Sequence, residues 1–151
     1  MKLNVGILGG GSWGTTVASI IAKNARATIW ARNPDTVAEI NEHHNNSKYL
    51  PDARLTRSLI ASNSIEDTVK NADLLVMGIP SQSFRKVFIE AIPFIRPWIP
   101  IVSLAKGLEM GTKKRMTEII EEELPGHPAG VLTGPNLAKE IHFGKAAAAV
   151  I

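Results

Sequence analysis

Four glycines fall within six residues at Gly9-Gly10-Gly11-Ser12-Trp13-Gly14, directly after the alternating apolar positions Leu3, Val5 and Ile7. Nothing else in the chain restricts its fold as strongly. Read as Gly9-x-Gly11-x-x-Gly14, the spacing is the dinucleotide-binding pattern, and each glycine has a steric reason. Gly9 permits the tight turn out of a strand, Gly11 lets the main chain approach a pyrophosphate, and Gly14 lets a helix pack closely on the sheet. The segment from Thr15 to Lys23 is rich in Ala, Val and Ile and holds neither Gly nor Pro. The order is therefore strand, glycine turn, helix, with free N–H groups and a positive dipole end aimed at an anion. Spare glycines in an ordinary strand-to-helix loop are the plainer alternative, and the flanking strand and helix argue against it.

Composition sets limits around this feature. With 151 residues, 44% of them hydrophobic and 21% charged, the chain can bury a core of its own as one soluble domain. It has no cysteine, which excludes disulfides, thiolate metal sites and thiol nucleophiles. No apolar run is long enough to span a bilayer, and glycines interrupt the amino-terminal segment before a signal region can form. The expectation is a cytoplasmic protein with no membrane span. A net charge of +3 suits anionic small molecules. The aromatic interleaving that single-stranded nucleic acid needs is missing, so no nucleic-acid partner is expected.

The next strand reads as Ala27–Ala31, followed by Arg32 and Asn33. A site for NAD usually has Asp or Glu about twenty residues past the glycines, accepting from the ribose 2′-hydroxyl. Arg32 cannot accept, but its guanidinium can clamp a 2′-phosphate. This favours NADP(H) without excluding NAD(H); a surface arginine at a strand end is the alternative. Pro34 suits the first turn of a helix through Val37 and Ile40. The polar stretch His43–Lys48 reads as a solvated loop. Its adjacent histidines have no third ligand at useful spacing, so no metal site is expected.

Further strands are expected at Leu59–Ala61, Leu74–Ile79, Ile101–Ala105 and Val131–Thr133. Ser64 and Asp67 have the spacing of a helix cap, and Phe84, Val87, Phe88 and Ile92 repeat at helical spacing. A helix from Thr112 to Leu124 would carry Lys113-Lys114-Arg115 at its start and Glu121-Glu122-Glu123 near its end, against the macrodipole. Lys106 stands at the carboxyl end of its strand, where ligands of open α/β sheets sit. Asn136 is placed to cap a short helix over 137–143. The last six residues, Ala146–Ile151, read as a buried strand, so the chain is expected to be a piece of a longer protein. The whole pattern predicts a doubly wound, mostly parallel α/β sheet of the Rossmann-like kind, one domain over 1–151.

Several stretches together carry a more specific likeness: Gly9–Thr15, Trp30-Ala31-Arg32, Tyr49-Leu50-Pro51, Ile79-Pro80-Ser81, Ser103–Glu109 and Gly134–Glu140. With them the chain resembles the N-terminal domain of bacterial-type NAD(P)-dependent glycerol-3-phosphate dehydrogenases. The resemblance implies hydride transfer between NAD(P)(H) and glycerol 3-phosphate or dihydroxyacetone phosphate, feeding phospholipid synthesis. It assigns Gly9, Gly11, Ser12, Trp13, Gly14, Arg32, Lys106 and Ala138 to the cofactor, and Lys106, Gly134 and Asn136 to the substrate. Asn136 stands where the family usually carries Ser or Thr. The resemblance also implies a second, helical domain that supplies the general acid/base lysine, so no catalytic residue is expected in this chain, and a homodimer in the full-length protein. Two alternatives stay open at this point: another two-domain hydroxy-acid dehydrogenase on the same nucleotide fold, and a nucleotide-sensing module without chemistry.

Overall fold

The computed structural model describes residues 2–134, 137–145 and 148–150. Its centre is a six-stranded sheet made of β1 (Asn4–Leu8), β2 (Arg26–Trp30), β3 (Ile60–Ser62), β4 (Leu74–Met77), β5 (Ile101–Ser103) and β6 (Ala129–Val131). All neighbours are parallel and their order is β3-β2-β1-β4-β5-β6. The helices are α1 (Ser12–Ile21), α2 (Pro34–Ala38), α3 (Ile65–Val69), α4 (Ser81–Ala91), α5 (Met116–Glu123) and α6 (Ala138–His142). This is the doubly wound sheet that the alternation of apolar strands and helical stripes predicts.

Side chains alternate across the sheet because successive strand residues point to opposite faces. Val5 and Ile7 of β1, Ala27 and Ile29 of β2, and Val76 of β4 pack with Val17 and Ala18 of α1 on one face. Leu8, Trp30, Leu75 and Met77 pack on the other with Val69 of α3, Phe84 and Phe88 of α4, and Ile119 and Ile120 of α5. Central strands covered on both faces read as continuous apolar runs, as Leu74–Met77 does.

Two helix starts follow local chemistry. Asn33 caps α2, its Oδ1 accepting from the Asp35 N–H at 2.8 Å, with Pro34 in the first turn. Ser64 caps α3 by accepting from the Asp67 N–H at 3.1 Å. Beyond Ala38 the helix widens into a π turn, Glu39–His43, and stops where His44 turns left-handed at φ 55°.

Four expectations need correction. The helix expected from Thr112 starts at Met116, because Lys113 adopts φ 57° and its N–H is held by the Glu109 carbonyl. The basic residues therefore precede the helix, and Glu118 in the first turn accepts from Arg115, in accord with the macrodipole. The last sheet strand is Ala129–Val131 rather than Val131–Thr133, since pairing with Ile101–Ser103 fixes the register. Asn46, in the stretch read as solvated, is fully buried. Of the carboxyl-terminal run, residues 148–150 are exposed, and only Val150 pairs, antiparallel with Thr133; the rest lies outside the described residues.

Candidate functional site

The strand order reverses direction at β1, so β1 and β4 lie side by side while their following connections leave to opposite faces. A crevice opens beyond their carboxyl ends. The glycine turn leaves β1 there, and Gly78 leaves β4 beside it. Gly9 has φ +123°, and a Cβ on it would stand 2.4 Å from the Gly78 carbonyl oxygen. A Cβ on Gly14 would stand 2.0 Å from the Gly9 carbonyl oxygen, so turn and helix meet backbone to backbone. Gly11 differs from both. A Cβ there would have no protein atom within 4 Å, so packing alone gives no reason for a glycine at that place.

The N-terminus of α1 adds donors. Thr15 N–H bonds to the Gly11 carbonyl at 2.9 Å as the first intrahelical bond, and no side chain caps the helix. Among the described residues, the N–H groups of Gly10 to Gly14 have no protein acceptor. Unpaired amides at a helix start, joined to the positive end of the dipole, form a site for an anion.

The residues that carry these donors line an open cleft of about 850 Å³. Of the residues that the sequence assigned to a cofactor, Gly9, Gly11, Ser12, Trp13, Gly14, Arg32, Lys106 and Ala138 all line it. Gly134 does not line it, and Asn136 lies outside the described residues, as does its suggested capping role; the residue preceding α6 is Leu137. Arg32 and Lys106 are exposed on the rim, and neither forms an ion pair among the described residues. The Ser12 hydroxyl donates to the Tyr49 carbonyl at 2.5 Å, which leaves its backbone N–H as its free donor. α6 packs over the start of α1, where Thr16 Oγ1 donates to the carbonyls of Ser12 at 2.9 Å and Ala138 at 3.4 Å.

The loop after Lys106 is anchored on the other side. Arg85 of α4 holds both oxygens of Glu109 at 2.8 Å, reaches Glu122 at 3.0 Å, and also bonds Glu123. Its guanidinium, with help from the Thr112 hydroxyl, pulls the Glu109 carboxyl down from its ordinary value to about 2. Gln82 ties the same loop through the Leu108 carbonyl at 2.9 Å and the Met110 N–H at 3.0 Å. The Lys106 backbone thus sits between β5 and a fixed loop, and the residue lines the cleft.

Sequence reasoning missed several neighbours. Lys48, Tyr49, Ser83 and Thr36 line the cleft from loops and helices far from the glycine turn. Asn46 donates to the Gly10 carbonyl and to Thr15 Oγ1, each at 2.9 Å. Tyr49 carried one signal, as part of the Tyr49-Leu50-Pro51 stretch. Asn46 carried none, because a buried asparagine and a loop asparagine look alike in sequence. Among the described residues, no three His, Asp or Glu side chains converge as metal ligands, and no helix is long and apolar enough to cross a membrane.

The strand order, the glycine turn at the switch point and the uncapped helix start define a class: a Rossmann-type α/β domain with an anion-ready crevice. Residues 4–151 match the family model described as NAD-dependent glycerol-3-phosphate dehydrogenase N-terminus, and the chain belongs to that family. It is 57% identical over 151 residues to a glycerol-3-phosphate dehydrogenase [NAD(P)+] of Sphingopyxis alaskensis, covering 100% of this chain and 45% of the relative. Identity is 53% over 146 residues to the enzyme of that name from Mycobacterium avium, covering 96% and 43%. The crystal structure of the Coxiella burnetii glycerol-3-phosphate dehydrogenase superposes with a TM-score of 0.90 at 29% identity, over 98% of this chain and 46% of that one. The chain thus spans less than half the length of the relatives it matches.

Proposed function

We propose that this chain is the dinucleotide-binding domain of a glycerol-3-phosphate dehydrogenase, and that its crevice holds NADP(H) or NAD(H). The observation that carries the reading is the set of amides from Gly10 to Gly14, unpaired among the described residues, beside the open place at Gly11. This cradle fits a pyrophosphate: donors without acceptors, room for the anion, and no Cβ in its way. Gly9 and Gly14 hold the turn closed, and the N–H groups of Gly11, Ser12, Trp13 and Gly14 take the charge. Trp13 and Ala138 form apolar wall beside it. Arg32 stands at the end of β2, where a ribose 2′-phosphate would need a cation, which favours NADP(H).

When bound, the nicotinamide supplies or accepts the hydride that the family name implies. The chain's own part is to bind, orient and neutralise. Lys106, a flexible cation on an anchored loop, is placed to serve both the cofactor and a phosphorylated substrate. Gly134 and Asn136 are assigned to the substrate side by family resemblance. By that resemblance the proton-shuttling lysine belongs to a further helical domain, and residues 1–151 contribute cofactor binding and orientation. Glycerol 3-phosphate and dihydroxyacetone phosphate are the substrates of this reading, with phospholipid synthesis as its destination. Both are small and water-soluble, which suits a cytoplasmic enzyme; a homodimer of the full-length protein belongs to the same reading.

The test is a steady-state assay on the full-length protein carrying this domain, with glycerol 3-phosphate against other hydroxy acids. The reading predicts turnover selective for glycerol 3-phosphate and a loss of at least about tenfold in kcat/KM for Lys106→Ala. Equal turnover of a non-phosphorylated hydroxy acid would point to a different dehydrogenase. Full activity in Lys106→Ala would remove the role given to that residue.

A further inference from the structure

Asn46 is fully buried, yet the residues beside it in sequence, Ser47, Lys48 and Tyr49, are exposed. Its amide nitrogen lies 2.9 Å from the Gly10 carbonyl oxygen and 2.9 Å from Thr15 Oγ1. A carbonyl oxygen can only accept, so the nitrogen rather than the oxygen of the amide must face Gly10. The Asn46 Oδ1 is left buried without a partner among the described residues. An unmatched buried acceptor is costly, so packing alone does not account for an amide here. The Asn46 carbonyl in turn accepts from the N–H groups of Tyr49 at 3.2 Å and Leu50 at 2.8 Å. That closes a tight loop, which Ser12 Oγ ties back to the turn through the Tyr49 carbonyl.

The peptide between Gly10 and Gly11 is planar and trans, so its C=O and N–H point in opposite directions. Holding the Gly10 carbonyl on Asn46 fixes that plane. The Gly11 N–H must then point away from Asn46, and within the turn Gly11 is the glycine whose side-chain direction meets no protein atom within 4 Å. A glycine pair has little intrinsic preference for one orientation of the peptide between them. Something outside the turn has to set it.

We infer that Asn46 is a positioning residue: by gripping the Gly10 carbonyl it aims the Gly11 amide into the crevice as a preset donor for the dinucleotide's pyrophosphate. This rests on reading the crevice as a dinucleotide site. It adds a residue 36 positions from the turn, with no ligand contact of its own, that decides whether the turn can bind.

The experiment is a titration of the chain with NADPH and NADH, followed by calorimetry and by amide NMR of the glycine turn. Two variants accompany it. Asn46→Leu keeps the approximate shape and removes the donor. Thr15→Val removes the second acceptor and keeps the grip on Gly10. In the wild-type chain the Gly11 amide should move downfield on binding. Asn46→Leu should weaken both nucleotides by about tenfold or more and abolish that shift, whereas Thr15→Val should change affinity by less than about threefold and keep it. A folded Asn46→Leu chain with wild-type affinity overturns the inference, as does a Thr15→Val loss equal to that of Asn46→Leu. If Asn46→Leu does not fold, the wild-type amide decides: binding without a Gly11 shift overturns the inference. Failure of the wild-type chain to bind either nucleotide would instead overturn the reading of the crevice, and this inference with it.

Discussion

The two ends of strands β1 and β4 treat polar groups in opposite ways. At the amino ends, the carboxylate just before β4 is fully engaged. The Asp73 carboxylate accepts from the Asn4 backbone N–H at 2.9 Å, from the Asn4 side chain at 3.3 Å, and from Arg96 at 3.0 Å. Those bonds, that of the Asn4 backbone foremost, hold the Asp73 carboxyl below its ordinary range. At the carboxyl end of the sheet, the amides from Gly10 to Gly14 after β1 have no acceptor, and Arg32 after β2 and Lys106 after β5 have no carboxylate, among the described residues. Arg85 makes the contrast sharper, since one guanidinium engages Glu109, Glu122 and Glu123. The chain has 14 acidic residues against 17 basic ones, so scarcity of carboxylates does not explain the bare crevice. On the proposed reading the difference marks where a negative ligand belongs: the Asp73 end is completed by the protein, and the glycine-turn end offers its donors to an anion.

Changes at the two glycines should separate structure from binding most widely. Gly14→Ala forces a Cβ toward the Gly9 carbonyl oxygen, 2.0 Å away in ideal geometry. It should lower Tm by on the order of 5 °C and remove nucleotide binding with it. Gly11→Ala meets open space and has an ordinary φ of −76°, so Tm should hold while NADPH affinity falls by about tenfold or more. Thermal melts and titrations on the two variants check both. Equal Tm losses would show that the open place at Gly11 is packing rather than ligand space.

A smaller and more selective effect is expected at the rim. Arg32→Ala should weaken NADPH by about 1.5–3 kcal/mol, the scale of a charge-assisted bond, and NADH by much less. Parallel losses for both nucleotides would mean that Arg32 does not read the 2′-phosphate.

The smallest binding effect belongs to the amino end. Asp73→Asn should lower Tm by a few degrees and leave nucleotide affinity unchanged. Because folding depresses this carboxyl, its contribution is present above the ordinary value of 3.8 and disappears as pH falls through the lower folded value. The Tm gap between wild type and Asp73→Asn should therefore be constant from neutral pH down to about 5 and close in stronger acid. A gap that widens in acid would reverse the assignment.

How much of this was legible beforehand depends on the range of the interactions. β1, the glycine turn and α1 form one continuous segment whose pattern is local, and the Ser64 cap is local too. The β6 register was not, because β5 decides it by pairing. The α5 start turned on the left-handed Lys113, which the helical stripe of Met116, Ile119 and Ile120 does not reveal. At the site, the places of the glycines, Arg32 and Lys106 at strand ends were legible, and all of them line the cleft. Asn46 could not be found that way: its partners, Gly10 and Thr15, are 36 and 31 residues away, and its neighbours are ordinary polar loop residues.

The central claim is that the bare amides of the glycine turn hold a diphosphate. Isothermal titration of the folded chain with NADPH, and with NADH beside it, tests that most directly. Saturable one-to-one binding that ADP-ribose competes away is the predicted result. No heat and no saturation with either nucleotide, in a sample whose melting curve is cooperative, would contradict it.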